Sequence, residues 1–296
     1  LTPDESAHWD GEALRYGPGA PRSEAPRDDE LEDLFRTYYR ATYNPARANM
    51  RLFRHHVPQD FQRDMPELTV LSEMATAKRK VATKEAAVVP ASRSLSTLRE
   101  AAVTCRACPL GELATQTVFG EGARKARLVM VGEQPGDQED KQGHPFVGPA
   151  GQMLDRALEE AGIAREDVYI TNAVKHFNYR PVGKKRLHQK PEWSHVEACR
   201  PWLRAELEAI EPEVILCLGA TASQSFLGRR FTVLKNRGRV FETPWAKAFL
   251  VSYHPSAILR APDDEAREQT YRALVDDLKV ASNILAGHTP QLVAPD

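Results

Sequence analysis

The sequence predicts an α/β fold, a three-layer α/β/α sandwich around a central four-stranded parallel sheet. Four short apolar segments rich in Val, Ile and Leu recur at residues 128–132, 168–171, 214–219 and 249–252. They are hydrophobic throughout rather than alternating, the pattern of strands covered on both faces. Stretches with helical apolar spacing separate them, and strand–helix alternation implies right-handed crossovers with helices on both sides of the sheet.

First along the chain, residues 1–75 carry Trp9, Tyr38, Tyr39, the run Tyr43-Asn44-Pro45-Ala46-Arg47 and the pair His55-His56, with short helices predicted over 30–39 and within 48–61. That is too little apolar material for an independent core, so the segment reads as part of a larger domain. Residues 76–93, mostly Ala, Lys, Thr, Val and Ser, show neither a 3.6 nor a 2 period and read as a linker or weak helix. The α/β domain spans 94–287, and 288–296 is a tail. A helix over 152–161 buries Met153, Leu154, Ala157 and Leu158. A second, over 192–210, aligns Val196, Cys199, Leu203, Leu207 and Ile210 on one stripe, with Pro201 marking a kink or restart. Tyr271, Leu274, Leu278, Ala281 and Leu285 form the apolar face of a closing helix.

Composition bounds the function classes. A chain of 296 residues suffices for about two domains, and 42% hydrophobic with 27% charged residues is ordinary for a water-soluble protein. No apolar run reaches the ~18 residues of a membrane span, and no signal-peptide pattern opens the chain. A cytoplasmic monomer is the expectation. With a net charge of −1, any nucleic-acid binding has to come from a local basic patch.

The segments just after the strands are more informative. The four strands lead into Gly132-Glu133-Gln134-Pro135-Gly136-Asp137, Asn172-Ala173-Val174-Lys175-His176, Gly219-Ala220-Thr221 and His254-Pro255-Ser256. Open parallel sheets bind ligands at the carboxyl ends of their strands, so these polar positions gather on the binding edge. A basic loop over 175–188 ends in Lys184-Lys185-Arg186-Leu187-His188, which alone reads equally as a solvated charge run or as a phosphate-gripping patch carrying an imidazole. Phe146 is an ordinary core residue or a stacking platform, and Asn172 a strand-end turn or a donor–acceptor pair for a pyrimidine edge. Cys105 and Cys108 form a C-x-x-C, and Cys199 and Cys217 lie far along the chain. Separated thiolates hold zinc or an iron–sulfur cluster equally well by softness.

Gly132-Glu133-Gln134-Pro135-Gly136, His144-Pro145-Phe146-Val147-Gly148, Thr171-Asn172, His254-Pro255-Ser256 and the four cysteines together resemble the family 4 iron–sulfur uracil-DNA glycosylases. Two features are similar to the UdgX branch: Gln134 where ordinary members carry Ala, and the loop ending Lys-Lys-Arg-Leu-His, close to that branch's Lys-Arg-Arg-Ile-His. The likeness covers about 94–286. Residues 1–75 resemble the tail of a domain of unknown function found fused ahead of such enzymes.

The resemblance implies uracil excision from DNA, single-stranded DNA being favoured because it spares the unpairing cost. It implies stacking by Phe146, recognition by Asn172, stabilisation of the leaving base by His254, and covalent capture of the sugar C1′ by His188. Glu133 would orient His188, and Gln134 and Asp137 would shape the site. Lys184, Lys185, Arg186 and Ser256 would hold DNA, and Cys105, Cys108, Cys199 and Cys217 a [4Fe–4S] cluster. A turnover glycosylase and a non-catalytic uracil-DNA binding module are the alternatives.

Overall fold

The computed structural model describes residues 5–9, 14–19, 87–92, 94–183 and 185–294. The chain divides into two compact units, Leu1–Lys80 and Val81–Asp296. In the first, β1 (Glu5–Trp9) and β2 (Leu14–Pro18) form an antiparallel hairpin in which Ala7 faces Tyr16. The helices expected at 30–39 and 48–61 lie outside the described residues.

The second unit holds a mixed seven-stranded sheet. Its middle is the expected parallel set: β4 (Leu128–Gly132), β5 (Val168–Asn172), β8 (Val214–Leu218) and β10 (Ala246–Ser252). Three edge strands extend it: β3 (Glu121–Gly122), β9 (Val240–Thr243) and β11 (Leu292–Val293). The order is β11-β9-β10-β8-β4-β5-β3, with β3 and β9 antiparallel to their inner neighbours. A separate hairpin pairs β6 (Tyr179–Val182) with β7 (Lys185–His188).

Strands β4, β5 and β8 are buried along their whole length, and successive side chains enter opposite cores. Leu128, Met130, Ile170, Leu216 and Leu250 pack with α4 (Pro149–Glu160), α8 (Pro255–Leu259) and α9 (Asp264–Leu285). Val129, Val131, Ile215, Cys217 and Phe249 face α5 (Trp193–Ile210) and α6 (Ala220–Leu227). A third cluster joins α5 to α1 (Leu95–Ala102) and α2 (Leu110–Leu113). Two further short helices are α3 (Asp137–Gln142) and α7 (Val233–Asn236). Helix α5 runs unbroken through Pro201, so the expected restart does not occur.

One ionic network crosses this framework without touching water. Lys175 and Glu206, 1% and 0% exposed, form an ion pair. Glu206 also accepts from the Gly120 amide (3.1 Å), the Tyr169 hydroxyl (3.0 Å) and Thr171 (3.0 Å), while Lys175 donates to Thr171 Oγ1 (2.6 Å) and the Asn172 carbonyl (2.9 Å). Burial and the adjoining carboxylate raise the Tyr169 phenol well above its ordinary value, so it stays protonated and donates. Breaking such a pair strands a charge at a cost of about 3–5 kcal/mol. Glu206→Gln is therefore expected to lower the unfolding free energy by about that amount. Chemical denaturation monitored by circular dichroism checks it, and a loss below about 1 kcal/mol contradicts the role given to the pair.

Candidate active site

The carboxyl ends of the parallel strands open into one cleft of about 590 Å³, within the range of small-molecule sites. Glu133, Gln134, Phe146, Asn172, His188, His254 and Ser256, drawn from separate stretches of sequence, all line it. Two glycines lie close behind the lining residues Phe146 and Asn172. A Cβ on Gly132 would stand 2.6 Å from Phe146 Cζ and strike Asn172 Oδ1, and one on Gly151 would enter the Phe146 backbone. Phe146 itself has φ +57°, a left-handed conformation costly for an aromatic residue and typical of positions over-determined by their surroundings. Its ring is 5.7 Å from that of His254. Glu139 secures this corner by accepting from the amides of Gly136 (3.0 Å) and Gly148 (2.8 Å).

Asn172 is 2% exposed, and its Oδ1 has no hydrogen-bond partner. A buried acceptor left unpaired costs about 1–3 kcal/mol unless something fills the cleft and donates to it. His254 caps the N-terminus of α8, its Nδ1 accepting from the Ser256 amide (3.2 Å) and lying 2.8 Å from Ser256 Oγ. Because Nδ1 accepts, the ring proton resides on Nε2. Burial pushes the His254 pKa down to about 4, with Arg260 and His188 adding to the shift, so this donor is neutral at neutral pH.

The basic segment is a strand rather than a loop. Gly183, at φ +57°, opens the turn of the β6–β7 hairpin, and the period of two then separates residues that read as one patch. Arg186 and His188 face the domain, while Lys185 and Leu187 are exposed on the other face. Lys184 lies outside the described residues. The anchor is Gln134, whose side-chain amide donates to the carbonyls of Asn178 (3.2 Å) and Gln189 (3.0 Å) and accepts from the Asn178 amide (3.2 Å). These bonds tie both ends of the hairpin to the end of β4.

Gln134 Nε2 also lies 2.9 Å from His188 Nε2, a third acceptor for two hydrogens, so one hydrogen is shared between partners. An amide nitrogen only donates, so His188 Nε2 accepts and its proton sits on Nδ1. Glu133, held by the Thr221 hydroxyl, places Oε1 3.5 Å from the same ring nitrogen. The His188 ring is 48% exposed into the cleft. Desolvation by its walls holds the pKa below 6.5, with Arg260 acting in the same direction and Glu133 opposing.

Two expectations need correcting here. Arg186 is not presented to a phosphate. It donates to Asp137 Oδ1 (2.6 Å), Asp140 Oδ2 (2.6 Å) and Thr115 (2.9 Å), and lies over the rings of Phe177 and Tyr179. Asp137 does not line the cleft, because its carboxylate binds Arg186 and Lys141. The two form a latch between the hairpin and α3. Among the described residues, the cations that line the cleft are Lys190 and Arg260, neither singled out by sequence pattern. Glu139 was legible as a capping-box position three residues after Gly136, whereas no sequence signal marks Thr221.

The cysteines also part company. Cys105, Cys108 and Cys199 share the cluster between α1, α2 and α5, close enough that charge on one disfavours charge on another. Burial pushes Cys199 up to about 12, although the Lys175 amide donates to its sulfur at 3.3 Å. Trp202 donates to Cys105 at 3.3 Å. Cys217 instead points from β8 into the opposite cluster among Val131, Ala222 and Phe249, and burial alone raises its pKa. The expected four-cysteine set is therefore not assembled. Among the described residues, no three His, Cys, Asp or Glu are gathered tightly enough for a single metal ion.

If Arg186 is the latch, Arg186→Ala frees the hairpin while leaving the sheet intact. Hydrogen exchange is expected to show amide protection falling at least tenfold over 179–188 and unchanged in β4 and β8. Equal loss throughout would contradict the latch.

The profile described as the Uracil DNA glycosylase superfamily matches residues 119–279. One described as a domain of unknown function, DUF4130, matches residues 7–67. A type-4 uracil-DNA glycosylase of Thermotoga maritima is 41% identical over 182 residues, covering 61% of this chain and 89% of that protein. Its counterpart in Archaeoglobus fulgidus is 41% identical over 177 residues, covering 57% of this chain and 85% of that protein. With the parallel sheet and its cleft, these matches place the chain in the uracil-DNA glycosylase superfamily, as a homologue of the type-4 enzymes.

Proposed function

We propose that this protein excises uracil from DNA and is then joined covalently to the sugar through His188. The observation that carries the reading is the buried, unpartnered Oδ1 of Asn172 in the same cleft as two neutral imidazoles. A flipped uracil offers an N3–H to that oxygen, and cytosine offers none there. Phe146 supplies the stacking face. Single-stranded DNA is the preferred substrate because it spares the unpairing cost of a few kcal/mol. Lys185, Lys190, Arg260 and Ser256 approach the phosphates.

The tautomers dictate the chemistry. As the N1–C1′ bond breaks, its electron pair leaves on uracil, and His254 donates Nε2–H to a base oxygen where negative charge develops. His254 does this as a neutral ring, as a donor to an enolate-like oxygen should. The sugar is left electron-poor at C1′. His188 Nε2, released from Gln134, gives its lone pair to C1′, and the ring becomes an alkylated imidazolium. Glu133 at 3.5 Å stabilises that cation. The uracil anion takes a proton from water. An imidazole bound through nitrogen leaves less readily than the carboxylate of a glycosyl ester, so the adduct persists.

The same resemblance that implies this chemistry implies a [4Fe–4S] cluster. Cys105, Cys108 and Cys199 fit it, being soft donors on separate segments and too dispersed for one ion. When bound, the cluster ties the C-x-x-C segment to α5. The chain's own residues perform the reaction.

Incubation with uracil-containing single-stranded DNA, then a denaturing gel, is expected to give a shifted band that survives heat and SDS. Alkali-labile free DNA would indicate turnover, and intact DNA binding alone. His188→Ser should abolish the band, and an adduct persisting in that variant rules out His188 as nucleophile. Asn172→Ala should slow excision by ~100-fold or more, the scale of losing one positioned polar group.

Acidity gives an independent check. Because the folded-state pKa of His188 lies below 6.5, the nucleophile is neutral above it and is lost as pH falls through it. The rate of adduct formation should be flat above pH 6.5 and decline below. In Glu133→Gln the inflection should move to lower pH, because Glu133 is the neighbour that favours protonation. A shift upward contradicts that assignment.

A further inference from the structure

The segment from Gly228 to Arg239 holds five Arg or Lys and no acidic residue, in a chain whose net charge is −1. No step of the reaction proposed above uses it. Yet it contributes to the wall of the cleft, which Val233 and Leu234 of α7 both line.

The segment is anchored from behind. Gln224 donates to the Phe231 carbonyl (3.0 Å), and Asn236 to that of Thr232 (2.9 Å). The ring of Phe231 meets that of Phe241 edge-on at 5.5 Å. Arg237 donates to the Ala273 carbonyl (2.7 Å) and to buried Asp277 (3.1 Å). Asp277 also accepts from Ser252 (2.5 Å), two residues before His254, so α7 and the His254 turn share one support. Arg239 donates to Asn236 Oδ1 (3.1 Å). Two of the five cations therefore serve the fold.

The other three do not. Arg229, Arg230 and Lys235 are exposed, and none forms an ion pair among the described residues. Arg229 lies over the ring of Trp193 at 5.3 Å, three residues along from the cleft-lining Lys190. The basic run thus continues the positive margin that Lys190 begins. A local stripe of this kind is what a nearly neutral protein needs in order to hold a polyanion. Leu234, beside Lys235, is 77% exposed although it borders the cleft. A single exposed leucine is ordinary. One held on an anchored turn at the mouth of a nucleotide-sized cleft, among unpaired cations, suits a ligand that carries apolar faces on a chain of anions.

We propose that residues 228–239 form a second nucleotide subsite, a surface that rests on the DNA reading above. Leu234 packs against the base next to the flipped uracil, and Arg229, Arg230 and Lys235 hold the phosphates that lead away from it. The target nucleotide is then gripped from the hairpin side by Lys185 and Lys190, and its neighbour from α7.

The test uses the full chain and a uracil-containing single strand with a 2′-fluoro group on the target sugar, which disfavours the electron-poor sugar and slows cleavage enough to measure Kd. Leu234→Ala is expected to weaken binding about tenfold, the scale of exposing one leucine. On strands in which a baseless residue replaces one neighbour of uracil, the same substitution should cost less than about twofold for one of the two neighbours. Leu234→Met should bind as the native sequence does. Arg230→Ala and Lys235→Ala should each reduce the slope of log Kd against log salt by about 0.7. Lys247→Ala, exposed at the amino end of β10, should leave that slope unchanged. All of these side chains are exposed, so the variants keep the fold. An equal loss in Leu234→Ala whichever neighbouring base is missing, or salt slopes that do not change in the two cation variants, overturns the subsite and leaves uracil excision standing. A native sequence that leaves uracil in an ordinary strand overturns both.

Discussion

Lys175 and Glu206 meet in the interior with every charge-bearing atom engaged, and their partners lie on β5 and in the segment just before β3. Through Thr171 and the Asn172 carbonyl, the pair fixes the end of β5. Through its own amide, Lys175 reaches Cys199. Through Glu206, it is bonded to the backbone before β3. Asn172 and the sulfur of Cys199 are thus both referenced to one residue, Lys175. An apolar substitute could pack as well, and buried ion pairs are often replaceable without loss of stability. What an apolar pair lacks is direction, and Asn172 needs its carboxamide set against Gly132 with no room to spare.

The cleft depends on that precision because its two histidines are neutral at neutral pH. His188 and His254 both have pKa values below 6.5, so neither attraction of charge nor a mobile proton positions them. Orientation comes from hydrogen bonds of fixed sense: Ser256 onto His254, Gln134 onto His188, Thr221 onto Glu133. The first two of these bonds set the tautomers of the rings, His254 protonated on Nε2 and His188 on Nδ1. The Arg186 latch performs the same service one step further out, where charged groups are tolerated because the network is complete.

The four parallel strands and the edge that carries the site were legible because buried strands have to be continuously apolar and ligand edges polar. The edge strands β3, β9 and β11 were not, since two to four residues carry too little pattern. Arg186 looked like a phosphate contact because sequence shows charge without direction; strand alternation turns it inward toward Asp137 and Asp140. The signal existed in Gly183 between two alternating runs, a hairpin signature. Cys217 was grouped with the other thiols because the family resemblance implies a four-cysteine cluster, whereas its place on β8 puts it on the other side of the sheet.

The hairpin carries an evolutionary implication. His188 reaches the cleft because it stands an even number of residues from Arg186 on a strand anchored at its far end by Gln134. Losing or gaining one residue within that strand would present a different side chain to the same spot without disturbing the sheet. Indels in a surface ribbon, ordinarily well tolerated, here act on which side chain enters the cleft. The length of β7 is therefore a heritable character as consequential as the identity of any residue in the cleft.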